Sequence, residues 1–310
     1  MTNTAFVRTI IPIVLLIGVG FFSRKMGFLR RGDERVLSAY LYYFALPALF
    51  LVNMAELNFN EEVIRFMTAG IIPIFMALIL LVALYLILRF SKNTLYLLII
   101  STIFGSLAFF GIPFIMFAFP TREAEHLATL ASASISTVIV IISITVLELY
   151  KLGEATLGEG LKLVAKRLSR NPLIASILLG TLLSLSGIEI PAPLSTPLHM
   201  LGGTTATVAI FMLGVFLYGR KYTNIALAFG LSLLRVLFLP TIALLTTNLF
   251  RMAGVEKSTL VLMHGTPIAI SMIVLSERYN FFKETMPSLI LLSSIGAGLY
   301  LNLWLFVLSR

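Results

Sequence analysis

The sequence predicts an all-α integral membrane protein of ten transmembrane helices, arranged as a 5+5 inverted repeat with crossed, broken helices 4 and 9. Three observations carry that expectation. Mean hydropathy is +1.01, with 59% apolar and only 12% charged residues, far from the composition of a soluble domain. Apolar runs of about 20 residues, the length that crosses a bilayer as helix, alternate with charged clusters along the chain. The two halves also place Gly and Pro at matching depths of charge-free runs.

The first run, 5–23, has only Arg8 before it and no small-residue cleavage site, so it reads as a retained helix rather than a signal peptide. The second, 36–56, contains Pro47, and the third, 66–89, contains Pro73. The fourth, 95–119, carries Gly105, Gly111 and Pro113, the last two inside "FFGIPF" (109–114). The fifth is 127–149. The sixth, 171–188, opens on Asn171-Pro172, an N-cap followed by proline at the first helical position. In the seventh, 197–218, Gly202, Gly203, Ala206 and Ala209 are small enough for close helix approach. Arg235 and Pro240 lie in the eighth, 224–249, and Gly265 and Pro267 in the ninth, 258–277. The tenth is 286–308. Together they fill nearly the whole chain, leaving no room for a separate soluble domain.

A net charge of +9 suggests nucleic acid in a soluble protein, but here its distribution reads as topology. Arg24, Lys25, Arg30, Arg31, Arg35, Arg89, Lys92, Lys151, Lys162, Lys166, Arg167, Arg170, Arg220, Lys221, Arg278 and Lys283 fall in alternate loops. The positive-inside rule places those loops in the cytoplasm and both termini outside the cell (inner) membrane. Membrane lipid is then the partner of the basic residues, and no nucleic-acid partner is expected. The chain has no cysteine, which removes disulfides, thiol catalysis and cysteine-ligated metal.

The most basic loop, 151–170, divides the chain into residues 1–150 and 151–310, with five runs each. Because five is odd, the second half enters the membrane from the opposite side, as in an inverted-topology repeat. Proline in a helix interior costs about 3 kcal/mol, and hydrocarbon offers no partner for the freed backbone groups. Interrupted spans at matching positions of two halves point to a transporter binding site. If both helices break, two half-helix N-termini face the midplane, each with partial positive charge and free N–H donors suited to an anion. Pro73 and Pro240 serve as controls, read as simple kinks.

Several stretches also resemble the auxin efflux carrier family, within the bile-acid/sodium symporter-like superfamily. They are "YYFALPALF" (42–50), "FGSLAFFGIPF" (104–114), "NPLIASILLG" (171–180), "LRVLFLP" (234–240) and "TPIAISMIVLSERY" (266–279). The resemblance implies crossed fourth and ninth helices and an elevator. Helices 3–5 and 8–10 would move as a transport core against a scaffold of helices 1, 2, 6 and 7. The family usually has Asn seven residues before the proline of the fourth helix and often four residues after the second proline. This chain has Ser106 and Ser271 there, which weighs against auxin itself as the substrate.

Ser106, Gly111, Pro113, Thr266, Pro267 and Ser271 are the expected substrate-binding positions at the breaks, with Thr102 beside them. Ser136, Thr137 and Asn53 are placed to face them from the fifth and second helices. Arg235 stands alone near mid-membrane, where insertion costs about 2.5–3.5 kcal/mol. It reads either as a fixed cation that attracts an anion or replaces a coupling sodium ion, or as a structural group satisfied by backbone carbonyls or snorkelling through a water cavity. His264, three residues before Pro267, either titrates or packs against a carbonyl. No carboxylate pair lies at midplane.

These readings add up to a secondary transporter for a small organic anion, with a carboxylate as the simplest case. It would use no cofactor and no metal, and a homodimer through the scaffold helices is its expected association. A sodium-coupled symporter of the bile-acid type is the alternative. An intramembrane enzyme built on His264 and Ser271 lacks an orienting carboxylate, so no enzyme activity is expected. A receptor that binds the anion without moving it is the remaining class.

Overall fold

The computed structural model describes residues 2–57, 60–152, 172–219 and 222–309. Lys162, Lys166, Arg167, Arg170 and Asn171, together with Arg220 and Lys221, lie outside the described residues, so the predicted N-cap at Asn171 does too. The described chain is helical with no β-strand. In order, the helices are α1 (Thr2–Lys25), α2 (Asp33–Ala55), α3 (Glu61–Leu88), α4 (Lys92–Ile103), α5 (Leu107–Ala118), α6 (Arg122–Leu152), α7 (Pro172–Leu185), α8 (Ala192–Leu217), α9 (Ile225–Leu249), α10 (Gly254–His264), α11 (Met272–Tyr279) and α12 (Thr285–Leu308).

Each predicted run is occupied by helix. Six helices (α2, α3, α6, α8, α9 and α12) are long and apolar enough to cross a membrane alone. The fourth and ninth runs fall short because each is cut in two: α4 and α5 fill one, α10 and α11 the other. At the controls the helix is not broken, since α3 continues through Pro73 and α9 through Pro240.

Helix starts follow local chemistry. Asn60 caps α3 by accepting from the Val63 N–H at 2.9 Å, with Glu61 and Glu62 in the first turn to complement the helix dipole. Ser91 caps α4, accepting from the Thr94 N–H at 3.1 Å. Thr121 does the same for α6 through the Ala124 N–H at 3.2 Å.

The two most extensive packings are of α1 along the second half of α8 and of α2 on α7. The first contact requires glycine on both sides. A Cβ on Gly20 would lie 2.1 Å from the Phe211 carbonyl oxygen, and one on Gly214 would lie 2.0 Å from that of Ile17. Of the small residues expected to permit close approach in α8, Gly202 lies against Leu49, whereas Gly203 borders open space. The remaining helices gather around α9, which contacts α3, α4, α10 and α12, while α6 closes the group against α3, α4, α5 and α10. Outward faces are apolar: Ile79, Ile87, Leu237, Leu249, Ile295 and Leu299 are all exposed, as a lipid-facing surface requires.

Loops sort to two ends. At one end Glu56 meets His126 and His199, and Arg65 lies 3.8 Å from Glu256. At the other, Thr223 donates to the Glu284 carbonyl at 2.7 Å and the Tyr150 ring meets Phe281 edge-on at 4.8 Å.

Candidate functional site

The interruptions of the fourth and ninth runs are joined to each other. Residues Gly105 and Ile268 form an isolated antiparallel bridge. The Ser106 N–H donates to the Pro267 carbonyl at 2.8 Å, and the Ala269 N–H donates to the Phe104 carbonyl at 3.0 Å. Backbone that leaves a helix inside a membrane must find partners in protein or water, and here each break supplies them for the other. The Ile268 N–H also donates to Ser293 Oγ on α12 at 3.2 Å.

Arg235 projects from α9 into this junction and is 1% exposed. Its Nε donates to the Thr266 carbonyl at 2.6 Å, and Nη1 donates to the Thr102 carbonyl. A third, longer bond at 3.4 Å reaches Thr266 Oγ1. The Thr102 carbonyl lies in the last turn of α4, where partial negative charge accumulates, and the Thr266 carbonyl lies in the break two residues past the end of α10. One guanidinium therefore ties the end of α4 to the chain leaving α10. Of the two readings of Arg235, satisfaction by backbone carbonyls is the arrangement observed. Gly105 makes room for it, because a Cβ there would lie 2.0 Å from Nη2 and 2.8 Å from Thr266 Oγ1.

"FFGIPF" does something different from what its composition suggested. The fourth run breaks at Phe104–Ser106, one turn before Gly111, and Pro113 sits inside α5. Proline is accommodated by a π-helical turn over Leu107–Gly111, in which the Ile112 N–H reaches back to the Leu107 carbonyl. Such a turn redirects donors by one residue and relieves the clash ahead of the ring. Pro47 is handled identically, with a π-helical turn over Leu41–Ala45 ending two residues before it. In the ninth run, by contrast, Gly265 and Pro267 do lie within the break.

Thr102, Ser106, Arg235, Thr266 and Pro267 are thus brought together. Gly111 is adjacent, lying against Met263 and Thr266. Ser271 precedes the first turn of α11 and is exposed, with no side-chain cap bond. His264 ends α10, where its buried Nε2 donates to the Gly70 carbonyl of α3 at 2.8 Å, the packing alternative of its two readings. Its Nδ1 has no partner among the described residues. The other three stand apart. Asn53 donates to Leu49 within α2 at 2.9 Å, Thr137 donates to Ala133 within α6 at 2.8 Å, and Ser136 is half-buried on α6.

Residues missed by sequence reasoning lie where the breaks meet the outer helix pairs. Phe109 and Ile270, flanking the two interruptions, pack against Leu41 and Ala45 of α2 and Ala209 and Met212 of α8. Beside them the Tyr40 hydroxyl lies 2.8 Å from Thr204 Oγ1. Thr204 already donates to the Leu201 carbonyl at 2.7 Å, so Tyr40 is the donor. The only sequence signal was Pro47, which marked the π-helical turn without locating it.

The chain was compared with known proteins. A family model described as membrane transport protein matches residues 5–160 and 156–305. The uncharacterized transporter YfdV of Escherichia coli K12 is 24% identical, over 98% of each chain. The uncharacterized transporter MJ1031 of Methanocaldococcus jannaschii is 22% identical, over 96% of this chain and 97% of its own length.

Proposed function

This chain belongs to the membrane transport protein family, and from that premise we propose that it is a secondary carrier of a small organic anion, most simply a carboxylate. The observation that carries this reading is the Arg235 cap. The guanidinium compensates the carbonyl end of α4 and the Thr266 carbonyl just past α10, while the facing N-terminal ends of α5 and α11 have no anionic side chain in their first turns. About half a positive charge remains at each such end, and a negative solute is the complementary ligand. A cation coordinated by the carbonyl ends would have to displace Arg235, which favours this reading over a sodium-coupled symporter.

Alternating access follows as an elevator in an inverted repeat. The pairing of α1 with α8 and of α2 with α7 is what a five-helix unit repeated upside down produces, because exchanging the halves turns one contact into the other. Those four helices are the scaffold, and the group around α9 is the moving core. Phe109 and Ile270 lie at the surface between them, where a bound solute would be exposed to either side. The protein belongs in the cell membrane with both termini outside.

Counterflow in proteoliposomes tests the proposal. Preloaded mono- or dicarboxylate is expected to accelerate uptake of its labelled form, without a requirement for sodium. Saturable binding with no flux would make the protein a receptor, and obligatory sodium would make it a symporter. Thermal shifts with the same acids narrow the class beforehand, since a ligand at 100 times its Kd stabilises by about 2.7 kcal/mol. Pro267→Ala restores an N–H and backbone freedom inside the break, and flux is expected to fall while membrane insertion is unchanged. Unchanged flux would leave Pro267 without a role in transport.

A further inference from the structure

At one end of the molecule a single carboxylate joins two imidazoles. Glu56, the C-cap of α2, has Oε1 2.8 Å from His199 Nε2 on α8 and Oε2 3.4 Å from His126 Nε2, one turn into α6. The side chains are 37%, 36% and 30% exposed respectively, so bulk protons reach all three. The two contacts are not equivalent. If α2 and α8 are scaffold and α6 is core, Glu56–His199 lies within the stationary part, whereas Glu56–His126 crosses to the part that moves. The stationary side is further fixed next to Glu56, where Ser184 of α7 donates to the Leu57 carbonyl.

We propose that Glu56 and His126 form a proton-operated latch between scaffold and core, with His199 holding the carboxylate in position. This rests on the elevator reading. A neutral imidazole offers Glu56 one weak hydrogen bond, while an imidazolium makes it a charge-assisted ion pair. Imidazole changes charge across the physiological range, so acidification at this face strengthens the contact and holds the core in the conformation described here. The charged groups near His126 are Glu62 of α3 and Glu256 of α10, which line a cavity with it, Glu123 and Glu125, which precede it on α6, Arg122, one turn earlier, and Arg65, which is paired to Glu256 at 3.8 Å.

The chain contains no cysteine, which allows an unambiguous distance measurement. Spin labels are attached at Ile64→Cys on α3 and Thr196→Cys on α8, exposed positions on core and scaffold outside the Glu56, His126 and His199 contacts. In liposomes, the labelled pair is expected to give two distances. The population away from the present conformation should be about threefold larger near pH 8 than near pH 5.5, the scale of an exposed ion pair. His126→Gln and Glu56→Gln should each make the populations equal at both pH values, whereas His199→Gln should weaken the response without abolishing it. Two distances with pH-independent populations in the parent chain would overturn the latch and leave the elevator standing. So would a pH response that survives both His126→Gln and Glu56→Gln. One distance under every condition would remove the elevator and the latch together.

Discussion

Arg235→Met yields a protein that inserts into the membrane, melts at a lower temperature and carries neither charged nor neutral solutes. The methionine fills much of the arginine's volume but donates nothing. The Thr102 and Thr266 carbonyls are then left in a buried junction without their partner. An unsatisfied buried acceptor costs about 1–3 kcal/mol, so two amount to roughly 2–6 kcal/mol, a large part of an ordinary stability margin. Arg235→Lys does not rescue the loss, because an ammonium is a point donor and cannot span the two carbonyls as the planar fork does. The measurement is thermal unfolding in detergent alongside flux in proteoliposomes. A folded variant that loses anions only, with neutral analogues unaffected, would put the guanidinium in contact with the solute instead.

The second large effect is expected at a residue with no functional group. Gly105→Ala places a methyl where Arg235 Nη2 now passes, at 2.0 Å, with the guanidinium carbon at 3.1 Å. Either the guanidinium retreats and gives up a carbonyl, or the bridge to Ile268 opens. Overpacking of this kind costs roughly 1–3 kcal/mol, and transport is expected to fail with it. The pair supplies its own control. In an Arg235→Met background the methyl meets a more yielding side chain, so Gly105→Ala should add much less than it does alone, as neighbours sharing one contact do. Full additivity would show that the glycine serves some other purpose. Gly111→Ala is a milder comparison, because its nearest obstacle is the flexible Met263 side chain.

Much of the molecule is written in local terms. Hydropathy and charge spacing located the apolar helical runs among the described residues, because a membrane helix must be apolar over a fixed length whatever its neighbours are. Helix caps at Asn60, Ser91 and Thr121 depend on residues three apart. The existence of two interruptions was legible too, since Gly and Pro are unfavourable in a helix interior. Their meaning was not. Pro113 and Pro47 look alike in sequence to Pro267, yet the first two are absorbed by π-helical turns and only the third lies in a break.

What tertiary structure alone decided is which groups meet. Arg235 is 133 residues from Thr102 and 31 from Thr266, and no periodicity predicts that one side chain joins both carbonyls. His126 and His199 are 73 residues apart in sequence, and only the fold brings both onto Glu56. Sequence fixes what each segment must bury, because transfer from water to lipid is a property of the segment. Hydrogen bonds and ion pairs are properties of pairs, so their identity waits on the packing that joins distant parts of the chain.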